Sequence, residues 1–391
     1  MNNIIPKRIL PTIIFAQFAG TSLWFAGNAI LKDLQTDWGL PNDALAAVTS
    51  AVQFGFILGT FVFALLSIAD RFKPSKVFFV CAILGALLNA SIVVLPSSYL
   101  LLLMARFLTG FFLAGIYPVG MKIASDWFGG KLGKALGYLV GALVIGTAFP
   151  HLINFIGSDF SWRFVLIGTS TLAVLGGFSI LLFGDGPFRK VGSHFSPSQI
   201  KTIFKKKDFR SAAFGYFGHM WELYAFWAFV PVMLAYYNST HSEASLNVAL
   251  WSFIIIGSGG IASAMGGHQS IKLGSAKTAF YFLLISGVCC LLSPLFIQLP
   301  PALFLTALLI WGFAVVGDSA QFSSLNAQTA PPALVGTALT IVVSIGFFIT
   351  IPSIQLVSLL EQAIETKWIF VVLAIGPVFG LFHTKRLIRN G

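Results

Sequence analysis

The sequence predicts an all-α membrane protein of twelve transmembrane helices arranged as two six-helix bundles. Three observations carry this reading. Hydrophobic residues make up 57% of the 391 residues and charged residues 9%, with a mean hydropathy of +0.88, whereas soluble domains carry about 25% charged residues. The apolar runs are continuous over about twenty residues or more, the length of a helix that crosses a bilayer; a membrane β-barrel would alternate polar and apolar residues in segments of about ten. One long polar stretch falls between the sixth and seventh runs and divides them six and six. Because only helices and closed barrels satisfy the backbone in lipid, continuous runs read as helices. The same composition excludes a soluble globular protein and a disordered chain, and the aperiodic Gly and Pro exclude a fibrous repeat.

The spans follow in order. The first bundle, 1–183, holds runs at 9–30, 44–68, 77–95, 99–124, 132–156 and 163–183. Lys7 and Arg8 before the first run imitate a signal peptide, but the run continues to Ile30, so a retained first span is expected. A basic cytoplasmic linker, 184–210, carries Arg189, Lys190, Lys201, Lys205, Lys206, Lys207 and Arg210. The second bundle, 211–391, holds runs at 211–236, 246–266, 276–297, 302–322, 334–360 and 368–387.

Charge sets the topology. With both termini inside, Lys32, Arg163 and Lys367 fall outside and Arg106 falls within a span, while the remaining Lys and Arg lie on the cytoplasmic side or at its edge. The net charge of +11 therefore describes cytoplasmic loops facing anionic lipid, not a nucleic-acid surface. Trp38, Trp127, Trp162 and Trp368 sit near span ends, where interfacial tryptophans anchor. Cys81, Cys289 and Cys290 lie in apolar runs with no metal-ligand spacing and read as buried thiols.

The two halves echo one another. Asp70-Arg71-Phe72-Lys73-Pro74-Ser75-Lys76 follows the second span, and Ile271-Lys272-Leu273-Gly274-Ser275-Ala276-Lys277 follows the eighth, each with cations at its second and seventh positions. Internal repeats of this kind build many transporters. Together with the six-and-six division and the basic centre, the turn resembles the major facilitator superfamily over essentially the whole chain. Asp70-Arg71 matches the family's inner-turn motif, with Leu66 and Lys73 standing where that motif has glycines. Arg106 followed by Gly110 matches a second motif, in the fourth span; the glycines Gly137, Gly141 and Gly146 with Pro150 do not form the Gly-Pro pair of the antiporter motif. The resemblance implies a central cavity lined by helices one, four, seven and ten, and an inner latch formed by Asp70, Arg71 and Lys76.

Charge within a membrane costs roughly 2.5–3.5 kcal/mol on insertion scales, so ionisable residues there are functional candidates. Arg106, Glu222 and Asp318 are the three well inside spans. Glu222 lies near the middle of the seventh span, with His219 one turn earlier on its face and Trp221, Tyr224 and Trp227 around it. A proton-coupling role for Glu222, with Asp318 or His219 assisting, stands beside a structural hydrogen-bonding role. Asp318 reads as lying nearer the cytoplasmic end of its span. Arg106 is either a clamp for an anionic substrate group or is tied to a backbone carbonyl or an acid, holding the fourth helix in register, with Tyr117 farther along its face. Gln17, Thr21, Trp24 and Asn28 recur at helical spacing as one polar-aromatic stripe in the first span, which must avoid lipid and so lines a cavity or bonds another helix. Trp311, two turns before Asp318, is placed either to cap a substrate or to pack in the core.

These residues and the resemblance together imply a secondary active transporter. It would move a small organic solute, an organic anion being one option, across the cytoplasmic membrane by alternating access with proton coupling. A proton-driven multidrug efflux antiporter is the alternative, since buried acids and aromatic linings suit lipophilic cations. An integral-membrane enzyme would need a catalytic grouping that the six histidines do not form. The glycines at 257, 259 and 260 sit inside an apolar run without a Walker lysine, so ATP drive is not expected. The expected partners are a small-molecule substrate, protons and membrane lipid. No cofactor, metal or nucleic acid is called for, and the chain is expected to act as a monomer in the cell inner membrane with cytoplasmic termini.

Overall fold

The computed structural model describes residues 6–128, 132–182, 186–189, 200–331 and 334–389, and among these no strand occurs. The chain divides into two compact units, Met1–Phe195 and Ser196–Gly391. Each carries six spans, and the fold is the expected all-α membrane architecture of twelve helices. Among the described residues, ten helices are long and apolar enough to cross a membrane. Span 1 escapes that criterion because it is broken, and span 7 because polar and aromatic residues dilute it.

In the first unit, span 1 is Ile9–Thr21 followed by Ala26–Ala29, span 2 Ala44–Leu65, span 3 Pro74–Ser91, span 4 Tyr99–Leu113 followed by Tyr117–Phe128, span 5 Leu132–Ile156 and span 6 Arg163–Ile180. The continuous first helix expected over 9–30 is corrected: it stops at Thr21. Thr21 Oγ1 donates to the Gln17 carbonyl at 2.8 Å and Ser22 Oγ to the Ala19 carbonyl at 2.7 Å. Hydroxyls that bond back into their own helix offer the backbone an alternative to the helical ladder and bend it. Beyond the break, a short helix Leu31–Trp38 buries Leu31 and Leu34 in an apolar cluster with Ile92, Leu102, Trp162 and Leu166. Trp162 Nε1 donates to Asp37 at 2.7 Å and its ring meets Trp38 edge-on.

Spans 2 and 4 come into backbone contact. A Cβ on Gly55 would overlap the Phe107 carbonyl oxygen, and one on Gly110 would overlap that of Val52. Paired small residues are what permit such an approach when helix association must come from packing and not from water.

The turn after span 2 contains the short helix Ile68–Arg71, preceded by Ser67 at φ +52°. Asp70 pairs with Lys122 Nζ at 2.9 Å, and Arg189 Nη2 donates to the Phe72 carbonyl at 3.2 Å. A left-handed conformation costs a non-glycine residue about 1–2 kcal/mol. Ser67→Gly is therefore expected to stabilise the protein by about 1 kcal/mol, after allowing for glycine's extra freedom when unfolded. The check is a small rise in melting temperature in detergent, and an unchanged or lower value would contradict it.

In the second unit, span 7 is Lys207–Thr240, span 8 Val248–Leu273, span 9 Ser275–Phe296, span 10 Pro301–Gly317 followed by Ser319–Thr329, span 11 Val335–Ala363 and span 12 Thr366–Ala374 followed by Ile375–Arg389. Span 7 packs mainly on spans 12 and 11, and span 8 on span 10. Residues 184–185 and 190–199 of the linker expected over 184–210, Lys190 included, lie outside the described residues. Its C-terminal part is helical over Ile200–Lys205, and span 7 begins at Lys207, earlier than the expected 211. Lys206 is extended between the two helices, and Asp208 in the first turn of span 7 pairs with Arg386 at 2.8 Å. The linker's basic residues thus run into the polar first turn of span 7.

Candidate functional site

Arg106 sits in span 4 with no exposed surface. Its Nη2 donates to the carbonyls of Leu23 and Trp24 at 2.9 and 2.5 Å, and its Nη1 donates to Asn89 Oδ1 at 2.8 Å. Asn89 Nδ2 in turn reaches Leu166 O, Thr169 Oγ1 and Ser170 Oγ of span 6 at 3.2, 3.1 and 3.0 Å. The break in span 1 explains the arrangement. A helix that ends in lipid leaves carbonyls without donors, and these must be satisfied inside the protein. A planar guanidinium offers several donors in a fixed fork, which suits two adjacent carbonyls and a side-chain amide. Among the described residues no carboxylate pairs with Arg106. Of the two roles that the sequence leaves open, the geometry occupies the carbonyl tie.

The stripe of span 1 also finds neighbours within its own unit. Asn28 Nδ2 donates to Thr49 Oγ1 at 2.7 Å, and the rings of Trp24 and Phe56 lie 4.8 Å apart, so the stripe runs against span 2. Thr21 lies against span 5, its Oγ1 filling the place where a Cβ on Gly146 would stand. Gln17 Oε1 takes the corresponding place beside Gly120 of span 4. Tyr117, at the start of the second segment of span 4, is partly buried.

In the second unit, Glu222 is fully buried and its carboxylate accepts three side-chain donors. Trp311 Nε1 reaches Oε1 at 2.6 Å, Cys290 Sγ reaches Oε1 at 3.3 Å and Ser286 Oγ reaches Oε2 at 2.9 Å. Spans 7, 9 and 10 meet at this carboxylate. Trp311 is buried at the same point, its ring 4.5 Å from Phe226. One turn before Glu222, His219 Nδ1 lies 2.8 Å from Asp318 Oδ1, with both residues buried. Neither has another side-chain partner among the described residues, and Tyr216 and Phe322 flank the imidazole. Asp318 stands at the break between the two segments of span 10, at the head of Ser319–Thr329. The span continues for a further 11 residues beyond Asp318, to Thr329, so Asp318 lies inside it and nearer its C-terminal end. Trp221 Nε1 donates to the Val372 carbonyl at 3.3 Å, and Tyr224 packs against Trp227 and Phe347.

Of the inner-turn residues, Asp70 is held by Lys122 of the same unit, while Arg71 and Lys76 are exposed. The structure thus gathers Arg106 with the backbone of the stripe in the first unit, and Glu222, His219, Asp318 and Trp311 in the second. Sequence reasoning missed Asn89, Ser286, Cys290 and Lys122. Ser286 and Cys290 are four residues apart and so share a helical face, a signal that was available; nothing in the sequence joins Lys122 to Asp70. All three cysteines are buried and free.

Two six-span units, broken helices and charged side chains bonded inside apolar spans define a polytopic membrane transporter. The chain matches the Major Facilitator Superfamily over residues 13–353 and belongs to that family. A 178-residue stretch is 26% identical to "Putative transporter AraJ" of Escherichia coli (strain K12), covering 43% of this chain and 43% of that relative. Among solved structures, a bacterial homologue of the human lysosomal transporter Spinster superposes with a TM-score of 0.74 at 12% identity, covering 100% of this chain and 98% of that one. The nucleoside transporter NupG, solved as a point mutant, gives a TM-score of 0.73 at 14% identity, covering 97% and 99%.

Proposed function

We propose that the protein is a proton-coupled secondary transporter of the cell inner membrane, with both termini cytoplasmic, which carries a small organic solute by alternating access as a monomer. The observation that carries the reading is the His219–Asp318 pair: two titratable side chains 2.8 Å apart, buried in apolar spans and bonded to no other side chain among the described residues. Intramembrane ionisable residues are costly and mark ion and proton pathways. A pair that shares one contact can lose it and take a proton without dismantling a network. Glu222, one turn away and the other acid near the pair, is instead held by three donors from two other spans. Its position supports fixing spans 7, 9 and 10 around the pair and tuning it through charge. Trp221 and Tyr224 are aromatic surfaces on the same span for the solute. The efflux of lipophilic cations is less well supported, because the nearest carboxylate to those aromatics is the one already occupied.

The test is accumulation of solute by proteoliposomes under an imposed pH difference, together with counterflow when no gradient is present. Counterflow with gradient-driven accumulation is expected. Counterflow without any response to the gradient would end the proton-coupled reading and leave a facilitator.

A further inference from the structure

The seam between spans 7 and 12 carries a surface that the transport reading does not use. Asp208 at the start of span 7 pairs with Arg386 near the end of span 12 at 2.8 Å, and Gly218 packs against Gly376 and Gly380. The two spans therefore run antiparallel, with these ends side by side. Residues 200–215 and 375–389 together hold eight Lys and Arg and a single acid, Asp208. Lys207 and Arg210 of span 7 are exposed, as are Lys385, Arg386 and Arg389 of span 12. Like charges gathered in one place repel, so this excess calls for an anionic partner.

Deeper in the same seam lies an aromatic platform. Phe214, one helical turn from Arg210, has its ring centre 5.6 Å from that of Phe379 and 4.7 Å from the His383 imidazole. Phe379 and Phe382 lie 4.6 and 5.3 Å from the same imidazole. Phe379, Phe382, His383 and Arg386 recur at helical spacing and so share one face of span 12. The platform is open, with Phe379 44% and Phe382 72% exposed. From Phe379 to Arg386 the helix rises about 10 Å. Cations at the helix ends and exposed rings toward the middle of the spans are thus ordered along one seam.

A phospholipid has the same order, a phosphate followed by acyl chains. We infer that this seam is a binding site for an anionic phospholipid, with the phosphate held by Arg210, Lys385 and Arg389 and the upper part of an acyl chain lying on Phe214, Phe379 and Phe382. Basic pockets between transmembrane helices hold anionic headgroups in this way. The combination decides between partners. A soluble polyanion or an acidic peptide uses the cations and leaves the rings bare, and a lipid without net charge uses the rings and leaves the cations unbalanced. The inference goes beyond the transport reading and stands apart from solute and proton. It gives span 7, which carries His219 and Glu222, a lipid clamp at one end.

The experiment follows the melting temperature of the delipidated full chain in dodecyl maltoside with added dioleoylphosphatidylglycerol, dioleoylphosphatidylcholine or inorganic phosphate. A saturable rise with phosphatidylglycerol alone is expected. An equal rise with phosphatidylcholine would reduce the seam to general lipid cover, and an equal rise with phosphate would make the occupant a free anion; either result overturns the inference. Arg210→Gln, Lys385→Gln and Arg389→Gln together leave the Asp208–Arg386 pair in place and should raise the half-saturating phosphatidylglycerol concentration roughly a hundredfold. Phe379→Ala with Phe382→Ala alters exposed positions only and should raise it several-fold. Lys272→Gln with Lys277→Gln, exposed cations of the turn between spans 8 and 9, should leave it unchanged. Native half-saturation in either seam variant, or an equal loss in the turn variant, would overturn the inference. Should the triple variant not fold, the ring variant carries the decision alone.

Discussion

Arg106→Ala is expected to cost the first unit about 3 kcal/mol, since three acceptors lose their donor at about 1 kcal/mol each. The acceptors are the carbonyls of Leu23 and Trp24 and the Asn89 amide oxygen. Water cannot replace the guanidinium cheaply at a buried point within apolar spans. The loss also spreads, because Asn89 holds span 6 through Leu166, Thr169 and Ser170. For a unit of this size the melting temperature should fall by roughly 6–12 °C. Arg106→Lys should fall between alanine and the native protein, because a single ammonium cannot span all three acceptors in the geometry of a planar fork. Scanning fluorimetry in detergent measures both. If alanine leaves melting unchanged while solute binding is lost, Arg106 is a substrate clamp and not the tie that closes the break.

Asp318→Asn should uncouple transport from the proton gradient. Asparagine keeps the size of the side chain and its ability to bond His219, but it takes up no proton in the physiological range. With one proton per solute, a pH difference of about one unit is worth about 1.4 kcal/mol and sustains roughly tenfold accumulation. The variant should accumulate solute to a ratio of about one while counterflow, which needs no net proton movement, survives. Glu222→Gln should act differently. It puts an amide among the donors of Trp311, Ser286 and Cys290, so it should lower the melting temperature while some coupling remains. Gradient-driven accumulation at native levels in Asp318→Asn would move the proton elsewhere, with Glu222 next in line.

Much of this protein could be read from its residues. The twelve apolar runs, their division by the basic stretch and the burial of Arg106, Glu222 and Asp318 all follow from the cost of moving polar groups into lipid. That cost falls on each residue separately and so leaves a local record in the sequence. The stripe of Gln17, Thr21, Trp24 and Asn28 was legible for the same reason. Breaks were less visible. Thr21 and Ser22 end the first helix through bonds of about 2.7–2.8 Å to their own carbonyls, yet the same residue types sit in unbroken helices elsewhere, as Thr350 and Ser353 do in span 11.

Hydropathy and helical spacing by themselves determined that the chain crosses a membrane, how many times it does so, and which side chains cannot face lipid. Only the packed structure decided what each of those side chains does. Arg106 meets carbonyls freed by a break more than eighty residues away in the chain, Glu222 takes donors from two other spans, and Asp318 meets His219 and, among the described residues, no other side chain. Aversion to lipid is a property of one residue, whereas a hydrogen bond belongs to two, and the second partner is chosen by the fold.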